Sequence, residues 1–234
     1  MDDKLKVQKS GNTKAVLEFD TPVLLIGGGE IDPQILAEFA ARDFVPVAAD
    51  GAANNLKEHH IHPAAIIGDM DSLKDRAFWE ERTKVLEFAE QDTTDFEKCL
   101  YATKAPLYLA LGFTGHQFDH TLAALHVLSK YAGEKAVLMV DTVDVIFATV
   151  GDFRMKMTPG ARVSIYPFAR AAFKRSTGLK FPLDGLVLEQ GNLIGTSNEV
   201  SGYEVFIEPV ANNESPYAVV MSHSYLNDLI ETLA

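Results

Sequence analysis

The chain has 234 residues, enough for one large or two small domains with a substantial buried core. Its composition, 47% apolar and 23% charged, is ordinary for a globular protein, and its formal net charge is −12. Such an acidic chain is not expected to bind nucleic acid by general charge attraction, and a phosphate substrate is expected to need a metal ion between the like charges.

The expected compartment is the cytoplasm. The single cysteine, Cys99, cannot form an internal disulfide, which is typical of a protein from a reducing environment. Residues 1–20 are polar and charged, without an apolar core of signal-peptide length. The sequence also contains no run of about 18 or more apolar residues, so we expect no membrane span.

The first part of the chain alternates strands with helices after an irregular lead-in predicted over residues 1–20. Apolar runs predict strands at 22–29, 44–50, 64–69, 84–90, 106–112 and 135–141. Helices are predicted between them at 33–43, 52–60, 74–83, 93–104 and 118–132, the first with Asp32 as its cap and Pro33 in its first turn. This alternation predicts an α/β fold with a mostly parallel, Rossmann-like sheet covered by helices on both faces.

The pattern changes after about residue 141. Short β-like runs follow, separated by turn signals such as PG, DG and GN. They predict an antiparallel sandwich or barrel of about six to eight strands. We therefore predict two domains, an α/β domain at 1–143 and a smaller antiparallel β-sandwich at 144–234.

Five aspartates lie at or just after predicted strand ends or helix starts, namely Asp50, Asp69, Asp71, Asp95 and Asp119. The carboxyl ends of parallel strands meet at one edge of a sheet, so residues distant in sequence converge there. Carboxylate oxygens are the ligands that Mg²⁺ prefers, and two aspartates at i and i+2 on a turn can reach one ion. Each aspartate alone is better explained as a turn or capping residue, and Ser72 could form a capping pair with Asp71, leaving Asp69 as the only ligand; the metal-site hypothesis therefore rests on the whole set.

Two further features favour a phosphate ligand only weakly. The glycines of GGGE (27–30) follow a strand and let the backbone approach a phosphate, but they also suit a plain tight turn. The segment is not a dinucleotide fingerprint, because the third glycine of G-x-G-x-x-G would fall on Asp32. His120 could donate a hydrogen bond to a phosphate from the start of a helix, or be an ordinary residue of the first turn.

Several motifs, taken in order, resemble those of the thiamine pyrophosphokinase family over nearly the whole chain. They are ADGAAN (49–54), GDMDS (68–72), DTTDFEKCL (92–100), G-x-x-G-x-x-x-DH (112–120), and GLKFPL (178–183) with GTSNE (195–199). The resemblance implies an ATP- and Mg²⁺-binding catalytic domain at 1–143 and a thiamine-binding domain at 144–234. It implies that ATP and thiamine give AMP and thiamine diphosphate. It also implies a homodimer, with the active site between one subunit's α/β domain and the other's β domain.

The resemblance also implies roles for individual residues. The expected Mg²⁺ ligands are Asp69, Asp71 and Asp95, with Asp71 or Asp95 accepting the hydroxyl proton and with Asp50 and Asp119 completing the acidic catalytic site. The expected ATP contacts are Gly28, Gly29, Asn54, Thr94, Gly112, Gln117 and His120. Phe181 is expected to stack on thiamine, a flat cation, although a place in the sandwich core is the alternative. Ser197 and Asn198, on a predicted turn, are expected to hydrogen-bond the thiamine pyrimidine.

Two positions depart from the family pattern. Gln117 stands where family members often have arginine, and Ala124 where they often have asparagine. Arginine would hold phosphate with a charged, forked guanidinium, whereas glutamine offers only neutral hydrogen bonds. This change motivates two alternatives: a non-catalytic regulator that binds thiamine or nucleotide, and a Mg²⁺-dependent phosphotransferase acting on another alcohol.

Overall fold

The structure is a computed structural model that describes residues 6–8, 16–211 and 215–233. By compactness the chain divides into a first unit, residues 1–124, and a second unit, residues 125–234. This division does not test the domain boundary predicted at 143/144, which stays a prediction. Within the described ranges, no helix is both long enough and apolar enough to cross a membrane.

The lead-in is not wholly irregular, contrary to the prediction. Strands β1 (Lys6–Gln8) and β2 (Val16–Glu18) pair in antiparallel fashion, while the rest of residues 1–15 lies outside the described residues. These strands have only three residues each, too few to show a clear apolar periodicity.

A five-stranded parallel sheet forms the centre of the first unit. The strands that follow β2 in the first unit are β3 (Val23–Ile26), β4 (Val45–Ala49), β5 (Ala65–Gly68), β6 (Lys84–Glu87), the short β7 (Thr103–Lys104), which pairs with β2, and β8 (Tyr108–Leu111). The sheet has the order β8-β3-β4-β5-β6. All residues of β3, β5 and β8 are buried. Because successive side chains point to opposite faces, both faces of the sheet are covered, as predicted.

The helices lie where the sequence predicts them but are shorter. They are α1 (Pro33–Ala40), α2 (Ala53–Leu56), α3 (Arg76–Glu80), α4 (Asp95–Ala102) and α5 (Phe118–Tyr131). The Asp32 carboxylate caps α1 by accepting a hydrogen bond from the Gln34 N–H at 2.8 Å, and Pro33 is the first helical residue, as predicted. The segment predicted as one helix over 52–60 begins at the last residue of a 3-10 turn (Asp50–Ala52), continues as α2, and ends in turns at His60, which has a φ of 55°.

The second unit is built from antiparallel strands. In chain order they are β9 (Val137–Val140), β10 (Asp144–Thr149), β11 (Phe153–Lys156), β12 (Arg162–Pro167), β13 (Ala171–Thr177), β14 (Val187–Leu188), β15 (Gly195–Glu199), β16 (Glu204–Pro209) and β17 (Tyr217–Ser222). Strands β9-β10-β17-β12-β15 form one sheet and β11-β16-β13-β14 another. The rings of Phe173 and Tyr217, one from each sheet, meet edge to face with centroids 5.1 Å apart. The fold is therefore mixed α/β, with parallel strands in the first unit and antiparallel strands in the second.

One helix of the second unit was not predicted. Helix α6 (Leu226–Leu233) buries Leu226 and Leu229. Its apolar residues recur at 226, 229, 230 and 233, a spacing typical of an amphipathic helix. This signal was available in the sequence after the last β-like run.

Candidate active site

A cleft of about 920 Å³ lies at the carboxyl ends of the parallel strands in the first unit. We call it the strand-end cleft, and it is lined by residues from the segments 27–29, 49–55, 69–72, 91–98 and 112–124. Most predicted catalytic and ATP-binding residues line it, namely Gly28, Gly29, Asp50, Asn54, Asp69, Thr94, Asp95, Gly112, Gln117, Asp119 and His120. Parallel strands bring these distant segments to one edge, which is where such sheets bind ligands.

Asp50 is the most deeply buried carboxylate of the cleft. It is 3% exposed, follows β4 directly, and has a left-handed backbone conformation with a φ of 41°. Its Oδ2 accepts a hydrogen bond from the Ser72 N–H at 3.1 Å, whereas Oδ1 is buried and has no partner among the described residues. Burial raises the pKa of Asp50, and the neighbouring Asp95 and Asp69 charges raise it further. An unpaired buried oxygen of this kind is a fitting ligand for a cation.

The GDMDS turn brings Asp69 and Asp71 together as predicted. The Asp71 N–H donates to Asp69 Oδ1 at 3.3 Å, and Gln91 donates to Asp69 Oδ2 at 2.8 Å. The bond from Gln91 is the main reason that the pKa of Asp69 is lowered. Met70 between them is buried, with a φ of 65°. The Asp69 carboxylate is therefore held in its ionised form.

Three carboxylates are close enough to hold one cation. Oxygens of Asp50, Asp69 and Asp71 all lie within 4.8 Å of one another. The set differs from the predicted Asp69, Asp71 and Asp95 in containing Asp50. Three carboxylates with hard oxygen atoms, one of them unpaired, fit a Mg²⁺ ion, which keeps several waters and takes few protein ligands. The assignment of Mg²⁺ ligands stays a prediction.

Asp95 is held by a lysine that the sequence analysis missed. Lys98 is 2% exposed, and its Nζ lies 3.1 Å from Asp95 Oδ1 and 3.8 Å from Asp69 Oδ2. Burial raises the pKa of Asp95, and the ion pair with Lys98 opposes this rise. Among the described residues that line the cleft, Lys98 is the single lysine or arginine. Its i+3 spacing from Asp95 is visible in the sequence, but its burial is not.

Glycine is required where these segments approach one another. A Cβ on Gly68 would lie 2.6 Å from the Cβ of Asp50, so the residue before Asp69 has no room for a side chain. A Cβ on Gly29 would lie 2.7 Å from the Gly112 carbonyl oxygen, to which the Gly29 N–H donates at 2.7 Å. The GGGE segment is therefore a close backbone contact between the ends of β3 and β8. A phosphate-binding role for Gly28 and Gly29 stays a prediction.

Two predicted ATP-binding residues also have structural partners. Asn54 donates from Nδ2 to the Ser72 carbonyl at 2.9 Å and accepts from the Lys74 N–H at 2.9 Å, so it holds the GDMDS turn in place. Thr94 caps α4 by accepting from the Glu97 N–H at 3.3 Å. The cleft wall formed by the start of α5 carries Gln117, Asp119 and His120, all exposed, and ends at the buried Ala124.

The predicted thiamine-binding residues lie in the second unit. Phe181 is 60% exposed, so it is not a core residue. Asn198 is 5% exposed, and its side chain donates to the Phe181 carbonyl at 2.7 Å and accepts from the Phe181 N–H at 3.1 Å. It also accepts from the Glu199 N–H at 2.8 Å. The amide of Asn198 therefore fixes the backbone that presents the Phe181 ring.

Ser197 and Asn198 lie in strand β15 and not on a turn, which corrects the prediction. Gly195 pairs with Ile165 and Asn198 with Val163, so two residues of β15 oppose Ser164 in a β-bulge. Ser197 has a φ of 57° at this bulge, and its N–H donates to Ser164 Oγ at 2.9 Å. The polar GTSN sequence is typical of a turn, but the bulge accommodates it within the sheet. The Ser197 side chain is exposed.

Comparison with known proteins identifies the family. The sequence model described as "Thiamin pyrophosphokinase, catalytic domain" matches residues 37–140, and the one described as "Thiamin pyrophosphokinase, vitamin B1 binding domain" matches residues 153–209. The two matches together span more than half of the chain, in the order that the sequence motifs predict. The chain belongs to the thiamin pyrophosphokinase family.

Individual relatives agree with this membership. Thiamin pyrophosphokinase 1 of Caenorhabditis elegans is 29% identical over 180 residues, which are 69% of this chain and 74% of that protein. The crystal structure of yeast thiamin pyrophosphokinase superposes with a TM-score of 0.73 at 19% identity, covering 91% of this chain and 89% of that one. The enzyme from Geobacillus thermodenitrificans gives a TM-score of 0.71 at 24% identity, covering 86% and 97%. The two solved structures support the fold of this family member.

Proposed function

We propose that the chain is a thiamine pyrophosphokinase that uses ATP. The hydroxyl oxygen of thiamine attacks the β-phosphorus of ATP, the bond from that phosphorus to the AMP oxygen breaks, and the hydroxyl proton leaves. The products are thiamine diphosphate and AMP. The observation that carries the proposal is the convergence of Asp50, Asp69 and Asp71 in a chain that matches both family models; Asp50 and Asp69 of this set line the strand-end cleft.

We further propose Mg²⁺ as the cofactor, held by Asp69, Asp71 and Asp50 and with Asp95 beside them. The bound ion would neutralise phosphate charge and fix the triphosphate for in-line attack. The unpaired oxygen of Asp50 supports this ligand set over one without Asp50. Asp95 is half-buried with a raised pKa, which suits a carboxylate that accepts the hydroxyl proton.

For thiamine binding we propose a different role for each of the three predicted residues. The exposed ring of Phe181 supplies the stacking surface for a flat cation. Asn198 acts as a positioning residue, since its amide already binds the Phe181 backbone. Ser197, with its exposed side chain on the bulge, remains the proposed hydrogen-bond partner of the pyrimidine.

The fold type of the first unit, the oligomeric state and the cellular location are also proposed. The parallel strand order, with β3 between β4 and β8, supports a Rossmann-like description of the first unit. The homodimer rests on the family resemblance, and light scattering during size-exclusion chromatography tests it. A cytoplasmic location rests on the single cysteine.

An AMP-release assay tests the function directly. The purified chain is incubated with ATP, Mg²⁺ and thiamine, and AMP and thiamine diphosphate are measured together. Equal amounts of both products are expected. Bound thiamine without AMP release would favour the regulator that the Gln117 replacement motivates, and AMP release only with another alcohol would favour a different phosphotransferase.

A further inference from the structure

One buried hydroxyl of the strand-end cleft has no role in the chemistry described above. Thr114 follows β8 and lines the cleft, yet it is only 6% exposed. Its Oγ1 is buried and has no hydrogen-bond partner within the described part of the chain. Apart from Asp50 Oδ1, no other buried side-chain oxygen or nitrogen in that part of the chain is unpaired. Buried polar groups in proteins are nearly always hydrogen-bonded, so we expect a bound ligand to supply the partner of this hydroxyl.

The loop that carries Thr114 is held rigidly from both sides. Gly112 and Gly115 flank it with φ values of 73° and 79°. On the other side, the Gly29 N–H binds the Gly112 carbonyl, and the Thr114 carbonyl lies so close to Gly29 that no Cβ would fit there. This contact fixes the backbone of Thr114 at the reversal of strand order between β3 and β8. Ligands of open parallel sheets bind beside such a reversal.

The sheet order shows which part of a nucleotide would reach Thr114. Thr114 follows β8, which is separated from β4 by β3 and from β5 by β3 and β4. Neighbouring strands lie about 4.8 Å apart, so the strand of Thr114 is about 10 Å from that of Asp50 and about 14 Å from that of Asp69. If the phosphates bind at the carboxylates, the nucleoside is the part of the ligand that extends this far.

We infer that Thr114 is a nucleotide-binding residue whose hydroxyl hydrogen-bonds the nucleoside part of ATP. The inference rests on the proposed function, because it takes the phosphates to lie at the acidic cluster. Since Oγ1 is covered in the free chain, contact requires a rotation of the side chain or a small movement of the 112–115 loop. Without the ligand, a buried unpaired hydroxyl destabilises the fold. A hydrogen bond to the nucleoside would remove this destabilisation.

The test separates the two ends of the nucleotide. Binding of AMP and, separately, of inorganic pyrophosphate with Mg²⁺ is measured by calorimetry for the full chain and for Thr114→Val, which replaces the hydroxyl with a methyl group. The dissociation constant for AMP is expected to rise about five- to tenfold, with that for Mg²⁺-pyrophosphate within about twofold. Thr114→Ser, which keeps the hydroxyl, is expected to bind AMP nearly as the original chain does.

Stability gives a second readout and a matched control. Thr114→Val is expected to leave the free chain equally or more stable, because no hydrogen bond is lost. Thr103→Val is the control, since Thr103 is also buried but donates to the Cys99 carbonyl at 2.6 Å. It should unfold at lower denaturant and bind AMP normally. If Thr114→Val does not fold, Thr114→Ala removes the same hydroxyl for the comparison.

The outcomes distinguish this inference from the proposed function. Unchanged AMP binding in Thr114→Val, equal weakening of AMP and pyrophosphate, or no AMP binding by the original chain would each overturn the role of Thr114. Selective loss of AMP affinity in a chain that makes no thiamine diphosphate would support Thr114 and overturn the pyrophosphokinase. Thiamine turnover with an unchanged ATP KM in Thr114→Val would support the pyrophosphokinase and overturn the role of Thr114.

Discussion

The strand-end cleft and the surface around Phe181 hold their functional side chains by different means. In the cleft the restrained groups are charged: Asp69 accepts a hydrogen bond from Gln91 and lies 3.8 Å from Lys98, and Asp95 pairs with Lys98 at 3.1 Å. Around Phe181 the restraint is neutral, because the amide of the buried Asn198 binds both polar groups of the Phe181 backbone and leaves the ring exposed. The first arrangement organises charge, and the second presents an apolar surface.

This difference predicts which properties each region controls. The neighbouring carboxylates of the cleft repel one another, and the buried lysine offsets this repulsion. Substitutions in the cleft should therefore affect both chemistry and stability. The Phe181 ring contributes little to the core, so its loss should affect ligand binding alone. The predictions below test whether the two regions separate in this way.

The largest effect is expected from Asp71→Asn, in the carboxylate cluster with Asp50 and Asp69. Asp71 is exposed, so the change should leave the fold intact. The loss of one metal-binding charge is expected to lower kcat/KM about 100- to 1,000-fold, measured by AMP release. Asp75→Asn is the control, because Asp75 is an exposed carboxylate paired with Lys57 and should change activity less than twofold. Activity of Asp71→Asn within about tenfold of the original would remove Asp71 from the metal ligands.

Lys98→Met tests whether repulsion between the cleft carboxylates destabilises the fold. Removing the buried cation leaves Asp95 without its ion pair and Asp69 without the nearby positive charge, and the free energy of unfolding is expected to fall by about 2–4 kcal/mol in urea without Mg²⁺. Added Mg²⁺ should restore part of the loss, since it supplies positive charge to the same carboxylates. Lys104→Met, at the exposed pair with Glu18, should cost less than about 1 kcal/mol. Equal losses in the two variants would show that Lys98 is an ordinary ion-pair residue.

A smaller, selective effect is expected from Phe181→Ala in the second unit. The KM for thiamine should rise about tenfold through loss of stacking on the cation, with the KM for ATP and the urea midpoint nearly unchanged. Tyr203→Ala removes another exposed aromatic ring of the same unit and should leave both KM values unchanged. Equal increases of the two KM values in Phe181→Ala would rule out stacking on thiamine.

The sequence was sufficient to predict the acidic cleft because the cleft depends only on residue type and on the parallel arrangement of the strands. Apolar strands with aspartates at their ends, in a parallel sheet, necessarily bring Asp50 and Asp69 to one edge. The exposed ring of Phe181 was also within reach, since Pro182 follows it. In both cases the type and position of the residue are enough, and no detail of packing is needed.

The partners of these residues could not be predicted because they depend on tertiary contacts. Lys98 is an ordinary helical lysine in the sequence, and only the packing of α4 against β5 makes it a buried counter-charge. Asn198 belongs to a polar segment typical of a turn, and only the pairing of β12 with β15 makes it a bulge residue. The unpaired oxygens of Asp50 and Thr114 likewise appear only when every neighbour is in place.

The smallest effect concerns a carboxylate that shapes the edge of the cleft. Glu90 accepts hydrogen bonds from the N–H groups of Asp92 and Thr93, from the Thr93 hydroxyl, and from the Tyr101 hydroxyl at 2.7 Å. These bonds, led by that from the Thr93 side chain, lower its pKa from 4.5 to about 2. Because the folded-state pKa is lowered, this stabilisation is fully present above about pH 4.5 and is lost as the pH falls toward 2.

Glu90→Gln should therefore be less stable than the original chain at neutral pH, and the difference should vanish as the pH falls from about 4.5 to about 2. Urea unfolding at a series of pH values measures it. Tyr101→Phe removes one donor and should shrink the same pH-dependent difference. The contacts of Asn198 with the Phe181 backbone join neutral groups, so a change there should shift stability equally at every pH. Parallel curves for the original chain and Glu90→Gln would show that the ionised form of Glu90 is not what holds the 90–95 segment, and the contrast between the charged and the neutral region would fail at this point.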